Sequence, residues 1–304
     1  MVNIKYVTYQ HIDKKKWDAC IIAAGNGLVY AQSVYLDAMA EHWDALVMDE
    51  YEAVMPLTWN KKYGIAYLYQ PFFTACLGVF GNNISAEVVN NFLQQIPAKF
   101  RYWDIYFNQG NFFSLQNFQL YERVNYVLPL HDSYEKMYEA FRDNVKRNIK
   151  KAEKLKCAVQ KNFAVDKVIS LAMEQAKDFS PATKTDYTNF KKLYQLLYQQ
   201  QQATTYGVYT AAGMLVSSCV FFFFKNRVYY ILVGNHPDGK TIGASHLLIA
   251  AFIKDHAGQN LVLDFEGSDI RNLAFFYSSF GALEEKYAGI KMNRLPKFLQ
   301  LFKK

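Results

Sequence analysis

Charge is sparse in this chain, cysteine is scattered and proline is rare. Charged residues make up 20% of the 304 positions and hydrophobic ones 51%, which excludes a disordered, solvating chain and leaves a globular one. The four cysteines (Cys20, Cys76, Cys157, Cys219) form no C-x-x-C pair, and none joins a His cluster at zinc spacing. That argues against a disulfide scaffold and against a bound metal, and predicts free thiols in a reducing cytoplasm. The longest apolar run, residues 214–224, is broken by Ser217 and Ser218 and is too short to span a bilayer. The first eighteen residues hold no apolar core of signal-peptide length, so a cytoplasmic protein is expected. The six histidines have neither metal nor triad spacing, and no serine sits in a G-x-S-x-G context.

What the chain has in abundance is aromatic rings, 24 Phe and 23 Tyr, enough for large cores with amphipathic Tyr at their edges. Its length suffices for two domains. The net charge of +7 is local. Residues 142–156 hold seven bases (Arg142, Lys146, Arg147, Lys150, Lys151, Lys154, Lys156) and two acids (Asp143, Glu153), a net +5, which leaves +2 for everything else. Within residues 131–157, Met137, Phe141, Val145, Ile149 and Ala152 recur at helical spacing, and Asp132 with Glu135 makes a capping box. One amphipathic helix, apolar on one side and basic on the other, is predicted there.

The two halves echo each other. Residues 43–48 and 53–59 read as a hairpin about a polar turn, and 206–210 with 214–224 do the same about Ala211-Ala212-Gly213. A third strand follows in each half, at 63–69 and 227–233. A later strand ends in an acid in each half, Asp104 and Asp264, 160 residues apart. A helix precedes that acidic strand in both, over 87–100 and from Gly243 onward. Matches in this order at nearly constant offset argue for a duplicated module. The expected fold class is α/β (α+β), two tandem domains, each a mixed and mostly antiparallel sheet flanked by helices. The expected domains are 1–130 and 131–304, the second beginning with the basic helix.

Residues 261–293 carry the most information. A short apolar strand ends in Asp264 and Glu266, which alternation places on one face. Gly267 breaks the strand, and Ser268 or Asp269 can cap the helix that follows. In that helix Leu273, Phe276, Tyr277 and Phe280 make one apolar face, and Gly281 stops it. Acids at the carboxyl end of a strand, beside a helix N-terminus, mark the usual ligand position of open sheets. The run Asp264-Phe265-Glu266-Gly267-Ser268 followed by Phe276-Tyr277 and Phe280-Gly281-Ala282 resembles the last strand–helix–strand of GNAT acyltransferases, and more closely bacterial proteins of the FemABX-like group, which carry two GNAT-type domains. Tyr277 and Gly281 match the family's Tyr and the Gly four residues later. Leu273 and Ala282 depart from its usual small and aromatic residues. The run 147–154, RNIKKAEK, also follows a FemABX-like pattern.

Four candidate sites follow. Lys240, Ile242, Gly243, Ala244 and Ser245 precede or open a helix, where free backbone N–H groups and the helix dipole favour phosphate. The resemblance implies that they hold the pyrophosphate of an acyl-CoA; a simple turn and helix cap reads them as well. Asp264 and Glu266 are candidates for the base that takes a proton from an amine, or for helix-capping acids paired with Arg271 or Lys291. Tyr277 matches the GNAT tyrosine that protonates the leaving thiolate, or is a core residue. Arg147, Lys150 and Lys151 would dock an acidic acceptor or an RNA acceptor stem, or form a solvated face. The resemblance implies an N-acyltransferase with acyl-CoA (acetyl-CoA) as donor and a small-molecule or nucleotide-linked amine as acceptor. The alternatives are an aminoacyl-tRNA-dependent transferase acting on a cell-wall precursor and a non-catalytic module for anionic ligands. No membrane span is expected.

Overall fold

The computed structural model describes residues 3–178, 180–267 and 269–295. It divides into two compact units. The first runs to Arg123 and resumes at Lys286; the second is Val124–Glu285.

In the first unit β1 (Ile4–Val7) leads through α1 (Lys14–Ala23) and α2 (Ser33–Met39) to β2 (His42–Met48), β3 (Ala53–Lys62), β4 (Ile65–Tyr69), the two-residue β5 (Phe80–Gly81), α3 (Ala86–Gln94) and β6 (Phe100–Tyr106). Asp13 starts α1 by accepting from the amides of Lys15 and Lys16, and Trp17 and Ile21, one turn apart, bury its inner face. Ser85 caps α3, whose Val89, Phe92 and Leu93 face the core. This helix stops at Gln94, short of the expected 87–100. Pro97 cannot continue it, and Phe100 already opens β6.

In the second unit follow β7 (Tyr121–Pro129), α4 (Tyr134–Ala140), α5 (Asp143–Lys154), β8 (Ala158–Lys161), α6 (Val165–Ala176), α7 (Lys184–Gln199), β9 (Ala203–Tyr209), β10 (Leu215–Phe224), β11 (Arg227–Asn235), α8 (Pro237–Ile242), α9 (Ala244–His256), β12 (Val262–Asp264) and α10 (Arg271–Ser278), and then β13 (Leu283–Asn293), which ends in the first unit. The single amphipathic helix expected over 131–157 is two helices. Phe141 and Arg142 turn extended between them, and the Arg142 amide donates to Ser279 O at 2.9 Å instead of continuing the helix. Ser133, not Asp132, is the cap. The apolar periodicity survives the break, since Met137, Phe141, Val145, Ile149 and Ala152 are all buried.

Strand order is the same in both units. It runs β1-β2-β3-β4-β6-β13 in the first and β8-β9-β10-β11-β12-β7 in the second. In each, antiparallel hairpins are followed by one parallel pair, β4/β6 or β11/β12, and then by an antiparallel last strand. That last strand is supplied by the other half of the sequence: β13 closes the first unit and β7 the second. A single cut near His131 therefore does not describe the units, because residues 124–130 lie with the second and the chain from Lys286 with the first. The aromatic load is largely core. In the second unit Phe221 stacks on Phe252 at 3.7 Å, with Tyr206 and Tyr230 edge-on or tilted beside them.

Candidate functional site

The geometry begins with a divergence between two parallel strands. β11 is nine residues long, yet it pairs with β12 only through Arg227, Val228 and Tyr229, opposite Val262, Leu263 and Asp264. Past that point β11 continues to Asn235 while the other chain turns away at Phe265. The divergence opens at the carboxyl end of β12 and on the carboxyl side of the paired residues of β11, where sheets of this kind admit ligands.

Asp264 ends β12 and is 4% exposed. Its Oδ2 accepts from Arg227 Nε at 2.6 Å, and its Oδ1 accepts from Asn125 Nδ2 at 2.9 Å and from the Glu266 amide at 2.7 Å. A second Arg227 nitrogen reaches Glu285. Burial works against the Arg227 charge, but the two carboxylates outweigh it and hold the guanidinium well above its ordinary value. With both oxygens engaged, Asp264 organises the turn and is not a free base. Glu266 does not share a strand face with it. The strand has ended, and Glu266 adopts a left-handed backbone (φ 62°) that the Asp264 carboxylate holds through its amide. Asn125 Oδ1 takes the Gly267 amide in the same way. Arg227, Asn125 and Glu285 carry no local motif, and only the fold brings them to Asp264.

Tyr277 lies in α10 and is buried, its ring stacked on Phe265 at 4.5 Å. Burial, and then the Glu266 charge, push the phenol well above its ordinary value. It stays protonated throughout the neutral range, with a carboxylate near enough to feel. The helix starts after Ile270 with no side-chain cap; Asp269 accepts instead from the Val124 amide at 3.3 Å, and Ser268 lies outside the described residues. Arg271 and Lys291 pair with neither acid in the described ion pairs; Arg227 takes that place.

The stretch expected to be an open phosphate loop is mostly α8, a single short helix, with Lys240 and Ile242 in its last turn. Gly243 (φ 82°) ends α8 and begins α9. A Cβ there would lie 2.5 Å from the Asn148 carbonyl oxygen of α5, so close helix approach as well as backbone sign requires glycine. Ala244 is buried, and Ser245 Oγ donates to Asn235 Oδ1 at 2.6 Å. Lys151 of the basic helix reaches the Thr241 carbonyl at 2.8 Å. The structure thus joins Lys151 to the 240–245 segment, which sequence reasoning kept apart as acceptor and donor sites. Arg147 and Lys150 stand exposed on α5. His246, in the first turn of α9, packs edge-on against Phe276 of α10 at 4.8 Å, and burial lowers its imidazole to about 4. Among the described residues no group of three or more His, Cys, Asp or Glu could hold a metal, and no helix is long and apolar enough to cross a membrane.

Comparison with known proteins agrees with this geometry. Residues 139–271, all in the second unit, match the family model described as an acetyltransferase (GNAT) domain. That segment is similar to a GNAT acetyltransferase domain, and the chain has a FemABX-like GNAT fold. Among solved structures, FemX superposes with a TM-score of 0.66 at 12% identity, over 99% of this chain and 100% of that one. A conserved protein of unknown function from Bacteroides thetaiotaomicron gives 0.60 at 12%, over 95% and 99%. L-PGS from Bacillus licheniformis gives 0.55 at 10%, over 95% of both chains. At these identities the likeness is one of fold. A search of curated proteins finds no match.

Proposed function

We propose that this chain, built of tandem GNAT-type modules, is a cytoplasmic N-acyltransferase. The second unit would take an acyl-CoA-like donor and pass its acyl group to a small-molecule or nucleotide-linked amine. The observation that carries this reading is the divergence of β11 from β12, with the α9 N-terminus following one strand and Glu266 and Tyr277 the other. The amine nitrogen attacks the thioester carbonyl, and the C–S bond breaks as the C–N bond forms. The amine proton passes to Glu266, and the Tyr277 phenol protonates the departing thiolate. Most of the rate would come from holding the two reactants together, which supplies about 7–11 kcal/mol in favourable models.

A second reading has its own support. The exposed row Arg147, Lys150 and Lys154 on α5 suits a polyanion, so that an aminoacyl-tRNA would be the donor. Thermal denaturation with acetyl-CoA separates the two. A rise in Tm that is lost in Lys240→Glu with Lys151→Glu supports the CoA reading. These exposed positions serve better than Gly243, whose replacement disturbs α5. RNA binding with a steep salt dependence and no CoA effect supports the tRNA reading. No response to either leaves a non-catalytic binding module and rejects acyl transfer from both donors.

A further inference from the structure

A cavity of about 600 Å³ lies wholly in the first unit and shares no residue with the site just described. It opens where β2 begins, beside Trp59 of β3 and where Lys99 leads into β6. The walls are aromatic. Tyr9 meets Trp43 edge-on at 5.7 Å, and His42 lies against Trp59 at 4.6 Å.

The charges around these rings are lopsided. Asp37, Glu41 and Asp44 line the cavity against the single ammonium of Lys99, a net of −2 on a chain that is +7 overall. Lys99 is already committed: its Nζ donates to Tyr6 Oη at 2.7 Å, lies 3.8 Å from Asp44 and sits 5.5 Å from the centre of the Trp59 ring. Asp37 is likewise engaged, by Lys14 at 2.7 Å and by the Trp43 indole at 3.0 Å. The Glu41 carboxylate, exposed at the rim, has no cationic partner among the described residues. An anion would find no free cation here. A cation would find a spare carboxylate and the faces of electron-rich rings, on two of which the protein already seats its own lysines, Lys14 over Tyr9 and Lys99 over Trp59.

We propose that this cavity binds an organic ammonium ion, its charge against the aromatic walls and its balance supplied by Glu41. The cavity has the size of a small-molecule site, and its aromatic walls carry polar and charged groups that can fix a ligand's orientation. The inference is independent of acyl transfer in the second unit.

Choline and its uncharged carbon isostere 3,3-dimethyl-1-butanol test it on the full chain, at constant ionic strength, by tryptophan fluorescence and saturation-transfer NMR. Choline is expected to bind saturably with a Kd of about 1 mM, and the isostere at least about tenfold more weakly. Glu41→Gln, at an exposed position that leaves the fold intact, should weaken choline binding by about tenfold, and Trp59→Leu should abolish it. Equal binding of choline and the isostere would make the cavity merely apolar and overturn the proposal. So would wild-type affinity in Glu41→Gln, or no saturation below about 50 mM.

Discussion

Arg227 and Asp264 form a buried ion pair, Nε to Oδ2 at 2.6 Å, with side chains 13% and 6% exposed. Glu285 shares the guanidinium, and Asn125 bridges the two acids. The four residues come from four strands: β7, β11, β12 and β13. Removing one partner strands a charge in the interior. Arg227→Met should lower unfolding stability by about 3–5 kcal/mol, whereas replacing the ions together by apolar groups of similar volume should cost far less. Urea denaturation of the single and combined variants measures this. If Arg227→Met proved neutral, the network would not hold the site.

The network engages both Asp264 oxygens, so in the proposed reaction Glu266 and Tyr277 are the groups to test. Tyr277→Phe keeps the ring stacked on Phe265 and removes only the hydroxyl. Stability should change by less than about 1.5 kcal/mol, while acyl transfer should slow by about 10²-fold through kcat. A loss of stability with kcat unchanged would return Tyr277 to a purely structural role.

Gly243 joins α8 and α9 at a positive φ and against Asn148. Alanine there must strain its backbone and push the α5 carbonyl aside, so Gly243→Ala should cost about 2–4 kcal/mol. Gly258, also at positive φ but with nothing within 4 Å of a Cβ, should cost only the backbone part, about 1 kcal/mol. Thermal melts of the two variants compare a tight approach with a plain turn.

Acid should loosen the contact between α9 and α10. Burial lowers His246 from 6.5 to about 4. Between those values the unfolded chain binds a proton that the folded chain refuses, so stability rises with pH through the window and is lost as pH falls from about 6.5 toward 4. The ring is partly exposed, so the effect should be on the order of 2 kcal/mol. His246→Phe should flatten the pH dependence of the denaturation midpoint.

Much of this fold is legible in the chain. The hairpins about residues 49–52 and 211–213, the helix from Ala244 and the end of β12 at Asp264 all follow from apolar period and turn chemistry, whereas Asp104, expected to end its strand, lies inside β6, which runs on to Tyr106. Local tertiary pull hid the rest. Pro237, Asp238 and Gly239 look like a loop, yet the His236 ring accepts from the Asp238 amide and proline suits the first turn, so a short helix forms. Glu266 continues a strand pattern, but its amide is drawn to Asp264. Asn125 and Glu285, which meet in the Arg227 network, are 160 residues apart, and no local periodicity records such a pairing.

The exchange of closing strands was hidden for the same reason: β7 and β13 read alike whichever sheet they complete. Its consequence is testable. Ala288 and Ile290 of β13 are buried in the first unit's core beside Trp103 and Phe107, and the Phe107 amide donates to Ala288 O at 2.7 Å. Ile290→Ala should therefore destabilise the first unit by about 2–5 kcal/mol. In native-state hydrogen exchange, the amides of β4 and β6 should lose protection while those of β10 and β11 keep it. If β13 completed the sheet of its own half, as contiguous domains would require, the pattern would reverse. Protection would then fall in β11 and β12, and the first unit would exchange as before.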